Sequence, residues 1–149
     1  EKGIFVDPTL ALSRLNQLRS VDGIGPASGA FASTDLRYEI LRDMWDRGVK
    51  FVTGMDSGMT NANFDDFAYI PEVMVEDMGI TPMEAIISAT QVSADCLGLL
   101  DEIGTLEEGK AADVLIINGN PAVDIKALHD VNTIVKQGQI VKQENELLI

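Results

Sequence analysis

Residues 35–58 constrain the fold more than any other part of this chain. Residues 35–47 read as a helix, with Ser33 or Thr34 as N-cap and Gly48 as the C-terminal stop. Leu36, Ile40, Leu41 and Met44 are expected on its buried face. Val49-Lys50-Phe51-Val52-Thr53-Gly54 follows as a short strand and runs into the polar turn Met55-Asp56-Ser57-Gly58. Helix, strand, and a loop with a carboxylate at the strand's end form the rhythm of a parallel α/β unit. The N-terminus offers a second strand over residues 3–6, stopped at Asp7-Pro8 because proline cannot continue a central strand. Leu10, Leu12, Leu15 and Leu18 then make a loose helical stripe within residues 9–19.

Residues 20–34 are rich in Gly and Ser and read as a loop. A connector explains them better than an active-site lid. The loop of residues 59–65 leads into a helix with Pro71 in its first turn, apolar contacts from Tyr69, Ile70, Val73 and Met74, and Gly79 at its end. The clearest helix start is Thr81 as N-cap, Pro82 at the first helical position and Glu84 completing a capping box. Ile86, Ala89, Ser93 and Leu97 continue it at helical spacing to a stop at Gly98.

Beyond Leu100 the character changes. Residues 104–110 are turn-rich, residues 112–118 (ADVLIIN) read as a buried strand, and Asn118-Gly119-Asn120-Pro121 is a strong turn. Residues 131–142 read as a β-hairpin around Gln137-Gly138, with Val131, Ile134, Ile140 and Val141 available for a core. The boundary between an α/β part and a small β part is expected near residue 102. Neither part contains an internal repeat or a low-complexity segment.

Composition narrows the function classes. Lys and Arg total 11 against 24 Asp and Glu, a net charge of -13. That balance argues against phosphate-backbone binding, which needs clustered cations, and against adsorption to anionic membranes. No apolar run approaches the roughly 20 residues that span a bilayer, and residues 1–6 lack the parts of a signal peptide. With one cysteine, Cys96, no internal disulfide can form, so a cytoplasmic protein is expected, with Cys96 as a buried small residue in its helix. The single histidine, His129, is the most informative count. A zinc site usually draws three or four ligands from His, Cys and carboxylates, which one His and one Cys cannot supply in the usual way. The chain opens on Glu1 with no initiating Met, as a piece of a longer polypeptide or a trimmed one would.

Asp56 is the best functional candidate, because a carboxylate just past a parallel strand sits where α/β barrels build active sites. There it could take a proton from water or help orient that water on a metal. An Asx-turn or helix cap explains the local sequence at least as well. Asn61, Asn63, Asp65 and Asp66 could reach a substrate, and solvated loop polarity explains them equally. Glu107, Glu108 and Lys110 read as a solvent-exposed face. His129 reads as a surface histidine in a connector, and Trp45 as core.

Several separate motifs, in order, resemble the amidohydrolase superfamily, in its imidazolonepropionase-like and prolidase-like branch. They are residues 48–58 (GVKFVTGMDSG), residues 78–86 (MGITPMEAI), Ala89-Thr90, Ala94, Leu97-Gly98-Leu99, residues 103–115 (IGTLEEGKAADVL), Gly119-Asn120-Pro121, and residues 135–141 (VKQGQIV). The resemblance covers about residues 48–142. It implies an α/β fold in which residues 1–102 are the C-terminal part of a TIM-type (β/α)8 barrel, carrying strands seven and eight with their helices. Residues 103–149 would be strands of a small β-sandwich.

In such enzymes the aspartate after the eighth strand binds a metal and shuttles the proton of the hydrolytic water. Asp56 matches it, which favours the functional reading of that residue. The family's His-x-His pair and its other ligands have no counterpart here. The resemblance therefore implies the C-terminal piece of a metal-dependent hydrolase of C–N bonds in small amides, peptides or cyclic amides. Zinc is the metal expected in the intact parent, with none held stably by this chain alone. Two strands of a barrel expose unpaired edges, so the expected partners are the missing N-terminal barrel portion or other copies of the chain. Nucleic acid and membrane are not expected as partners. The rival reading is a non-catalytic structural or oligomerisation module built on the same fold.

Overall fold

The computed structural model describes residues 3–19, 34–58, 62–144 and 146–148. Two short parallel strands, β1 (Phe5–Val6) and β2 (Lys50–Phe51), pair in register, Phe5 with Lys50 and Val6 with Phe51. Helices α1 (Ala11–Leu18) and α2 (Thr34–Asp46) lie between them in the chain, and α3 (Tyr69–Glu76) follows a 3-10 turn at Phe64–Ala68. Next comes one long helical run: α4 (Pro82–Ile87), a π-helical segment (Ser88–Val92) and α5 (Ser93–Cys96). The chain ends in an antiparallel sheet ordered β3-β4-β5-β6 (Val114–Ile117, Val131–Lys136, Gln139–Gln143, Glu146–Leu147). A 3-10 turn at Ile125–His129 separates β3 from β4.

The core lies where the helices cover β2. Leu10, Ala11, Leu15, Phe51, Ile70, Val73, Met74 and Ala85 are almost fully buried there. Each fully buried Leu, Ile or Phe contributes about 2 kcal/mol of hydrophobic stabilisation. Trp45 packs its ring edge-on to Phe51, at 5.7 Å and 87°. It is half-buried and flanks the core rather than filling it.

Local signals translate directly. Thr81 Oγ1 accepts the Glu84 N–H at 3.4 Å while the Glu84 carboxylate accepts the Thr81 N–H at 3.1 Å, so the capping box is formed. Gln137 and Gly138 both take positive φ, 51° and 79°, which is the turn that a right-twisted two-residue hairpin needs. Gly48, Gly79 and Gly98 take positive φ at the helix ends, as expected. The Gly/Ser-rich segment and Ser33 lie outside the described residues.

Several side chains depart from their expected burial. On α2, Leu41 is buried and Met44 half-buried, but Leu36 and Ile40 are 56% and 54% exposed, as is Leu18 on α1. The core-facing aromatic of α2 is Tyr38 instead. The buried stripe of the long helix falls on Ala85, Ser88 and Ala94, the last two separated by the π-helical segment, rather than on Ile86, Ala89, Ser93 and Leu97. At the helix end Cys96 and the C-cap residue Leu97 face outward, so Cys96 is exposed rather than buried. Strand β3 is also more open than its apolar sequence suggested, with Leu115 and Ile116 about half exposed.

The sheet is tied to the helices by charge. Glu72, on α3 and buried, accepts from Arg14 Nη1 at 2.9 Å through Oε1 and pairs with His129 Nε2 at 2.7 Å through Oε2. Arg14 also reaches Glu76 and Asp77, and Lys126 Nζ lies 2.5 Å from Glu76. His129 is therefore not an idle surface side chain. It clasps the turn before β4 onto α3, with its ring against Tyr69.

Candidate active site

The turn that follows β2 is fixed residue by residue. The Val52 N–H donates to the Val6 carbonyl at 3.0 Å, extending the parallel pairing. The Thr53 N–H donates to Ser93 Oγ at 3.3 Å. The Gly54 N–H donates to Asp7 Oδ1 at 3.0 Å, and the Met55 side chain is buried in the core. Asp56 comes next, exposed, with φ of +53°. That is the left-handed region, which Asp and Asn tolerate better than most residues. The Gly58 N–H donates to the Ala62 carbonyl at 3.0 Å and closes the loop.

The π-helical segment supports the same strand from behind. Ser88 Oγ donates to the Phe51 carbonyl at 2.7 Å, and Ser93 Oγ donates to the Ser88 carbonyl at 2.8 Å. These two serines bracket the widened turn, where the i→i+4 ladder is interrupted and polar side chains can reach the strand. Asp56 thus follows a strand end held by hydrogen bonds at Phe51, Val52, Thr53 and Gly54, and is itself open to solvent. Such a group can accept a proton, donate it onward, or serve as one ligand of a cation.

The other sequence candidates separate. Asp66 is buried and taken up by a two-pronged pairing with Arg19, Oδ2 at 2.5 Å and Oδ1 at 2.6 Å, while Oδ2 also accepts the Asn63 N–H at 2.8 Å. The Arg19 guanidinium, opposed by burial and helped by the Asn63 N–H, holds the Asp66 carboxyl below the usual carboxylate range. Its lone pairs are committed to structure. Asn63 and Asp65 are exposed, and Asn61 lies outside the described residues. Glu107 and Glu108 are exposed as expected, but Lys110 is not: its ammonium turns inward to the Leu100 carbonyl at 2.6 Å and to Thr105 Oγ1. That contact closes the turn of residues 104–110.

Sequence reasoning missed Asp7, Ser88 and Ser93. In the sequence Asp7-Pro8 marks only a strand stop, and Ser93 only a small residue on a helix stripe. No signal in the sequence marks the π-helical insertion that brings both serines to β2. No helix among the described residues is long and apolar enough to cross a membrane.

A parallel strand pair with a carboxylate-bearing turn at its C-terminal end, covered by helices and followed by a small antiparallel sheet, is an α/β protein. The model of the amidohydrolase family matches residues 1–141, and the chain belongs to that family. It is 32% identical over 109 residues to the imidazolonepropionase of Brevibacillus brevis, covering 71% of this chain and 26% of that protein. It is 32% identical over 174 residues to the 5-methylthioadenosine/S-adenosylhomocysteine deaminase of Caldanaerobacter subterraneus subsp. tengcongensis, covering 97% of this chain and 40% of that protein. Among solved structures, a Xaa-Pro dipeptidase with methionine in its active site superposes with a TM-score of 0.74 at 30% identity, over 93% of this chain and 34% of that one. Molinate hydrolase does so with a TM-score of 0.72 at 26% identity, over 93% and 32%. These structural relatives imply a TIM-barrel-related fold. The chain spans only a quarter to two-fifths of the length of these four relatives.

Members of the family are generally metal-dependent. Among the described residues, no three His, Cys, Asp or Glu side chains come together in a way that could hold a metal ion. Asp56 alone does not make such a site. The described residues of this chain do not fit the family's metal without ligands from elsewhere.

Proposed function

We propose that this chain is the C-terminal portion of a metal-dependent amidohydrolase that hydrolyses C–N bonds in amides, peptides or cyclic amides. Residues 1–102 would supply the seventh and eighth barrel strands, β1 and β2, with their helices, and residues 103–149 part of the accompanying β-sandwich. The single observation that carries the reading is Asp56. It is an exposed carboxylate in a left-handed turn at the C-terminal end of β2, in a chain whose family model runs across it.

In this reading Asp56 is this chain's ligand, the others would come from the missing barrel strands, and its carboxylate takes the proton of the hydrolytic water and returns it to the leaving nitrogen. The support for C–N bond chemistry is the set of relatives, which includes imidazolonepropionases, a deaminase and prolidases. Zinc is the metal proposed for the intact protein, in a cytoplasmic setting. The chain alone is proposed to be inactive, because one carboxylate holds a divalent cation weakly, and to need its N-terminal barrel portion or further copies of itself.

The test compares the purified 149-residue chain with the complete parent on a panel of dipeptides, N-acyl amides and cyclic amides, with added Zn²⁺. The complete protein is expected to turn over at least one of them, Asp56→Asn to lower kcat by a factor of about 100 or more, and the isolated chain to give no turnover. Zinc-dependent turnover by the isolated chain would refute its dependence on the missing strands. Full activity of Asp56→Asn would remove Asp56 from the chemistry.

A further inference from the structure

Asp7 lies at the C-terminal end of β1, 49 positions before Asp56 in the sequence. An Asx-turn would use its carboxylate only locally, and Oδ1 does accept the Thr9 N–H at 3.1 Å in that way. The same oxygen also accepts the Gly54 N–H at 3.0 Å, across the strand pair and two residues ahead of Asp56. A side chain at residue 54 would have to displace the Asp7 carboxylate. A Cβ built there would lie 1.7 Å from Asp7 Oδ2 and 2.6 Å from its Cγ. Gly54 has no positive φ, so the backbone conformation does not demand glycine. The close approach of the Asp7 carboxylate does.

We infer that Asp7 is a positioning residue, whose carboxylate clamps Gly54 and thereby sets the turn that presents Asp56. The inference rests on the reading of Asp56 as the working carboxylate. Physically, a charge-assisted hydrogen bond to a backbone N–H restrains a loop more strongly than a neutral one. Here it acts between the Thr53–Ser93 tether and the buried Met55 side chain. Releasing it frees the backbone to rotate just ahead of Asp56, and displacements of about 1 Å at a reacting group lower rates by a factor of about 100. Asn at position 7 retains the accepting Oδ1, while Ala removes it.

Four variants test this: D7A, D7N, G54A and D7A/G54A. In the complete protein, D7A is expected to lower kcat at least tenfold with KM within about twofold, and D7N to stay within about threefold of wild type. G54A should resemble D7A, because its methyl group expels the carboxylate. Adding G54A to D7A should then cost less than half of what it costs in wild type, since the clash is already gone. Two readouts do not depend on turnover: amide hydrogen exchange of Gly54, expected to speed up roughly tenfold in D7A, and the 13Cα shift of Asp56, which follows its left-handed φ. Wild-type exchange and an unmoved Asp56 shift in D7A would overturn the clamp, as would a D7N variant as impaired as D7A. Failure of the Asp56 reading looks different: Asp56→Asn would keep full activity while the exchange and shift changes of D7A persist.

Discussion

Replacing Glu72 with Ala removes the acceptor that joins the helical part of the chain to the turn before β4. The side chain of Glu72 is only 6% exposed and makes two short contacts, to Arg14 at 2.9 Å and to His129 at 2.7 Å. Breaking a buried ion pair typically costs 3–5 kcal/mol because a charge is left buried and alone. Neither partner is left alone here. Arg14 keeps Glu76 at 3.1 Å and Asp77 at 2.7 Å, and the His129 side chain is 33% exposed and can turn to water. The penalty therefore falls toward the loss of two partly screened charge-assisted hydrogen bonds, about 2 kcal/mol in total. For a chain of this length that corresponds to a Tm lower by roughly 4–8 °C. The assay is thermal and urea unfolding of the full chain, with limited proteolysis as the local readout. E72A should unfold earlier and become more susceptible between β3 and β4, because the turn at Ile125–His129 loses the His129 tie to α3 and keeps the Lys126–Glu76 pair. Glu72→Gln, which retains an acceptor, should lose about half as much. A shift below about 0.5 kcal/mol, or unchanged proteolysis, would refute the clasp.

Because Arg19 and the Asn63 N–H depress the Asp66 carboxyl, its contribution to stability is fully present above the unfolded value near 3.9 and is lost as pH falls through the lower folded value. Asp66→Asn should therefore narrow its stability gap to wild type as the pH drops below about 4, and a gap constant from pH 7 to pH 2 would count against the pairing. Thr81→Ala removes one half of the capping box and should cost about 1 kcal/mol, measured by urea unfolding; a neutral result would mean that Glu84 caps the helix unaided.

How much of the molecule was legible in its sequence differs by range of interaction. The capping box at Thr81 and Glu84 and the hairpin turn at Gln137-Gly138 depend on residues at most three apart, so residue type and spacing sufficed. Family membership was equally legible, because it rests on several short motifs in a fixed order. Burial was less so. A stripe of apolar residues identifies a helix face but not what stands opposite it, and Leu36 and Ile40 proved exposed while Tyr38 turned inward.

The sequence by itself determined that the chain is α/β, that it is amidohydrolase in kind, and that Asp56 stands in a polar turn just past a strand. Only the tertiary structure decided that Asp7 reaches Gly54, that Ser88 and Ser93 back β2 through a π-helical insertion, that Asp66 is consumed by Arg19, and that Glu72 joins Arg14 to His129. The physical reason is common to all four. Each pairs groups at least 37 residues apart in the sequence. A polar side chain carries no local mark of which distant backbone or charge will satisfy it; burial settles that only once the chain has folded.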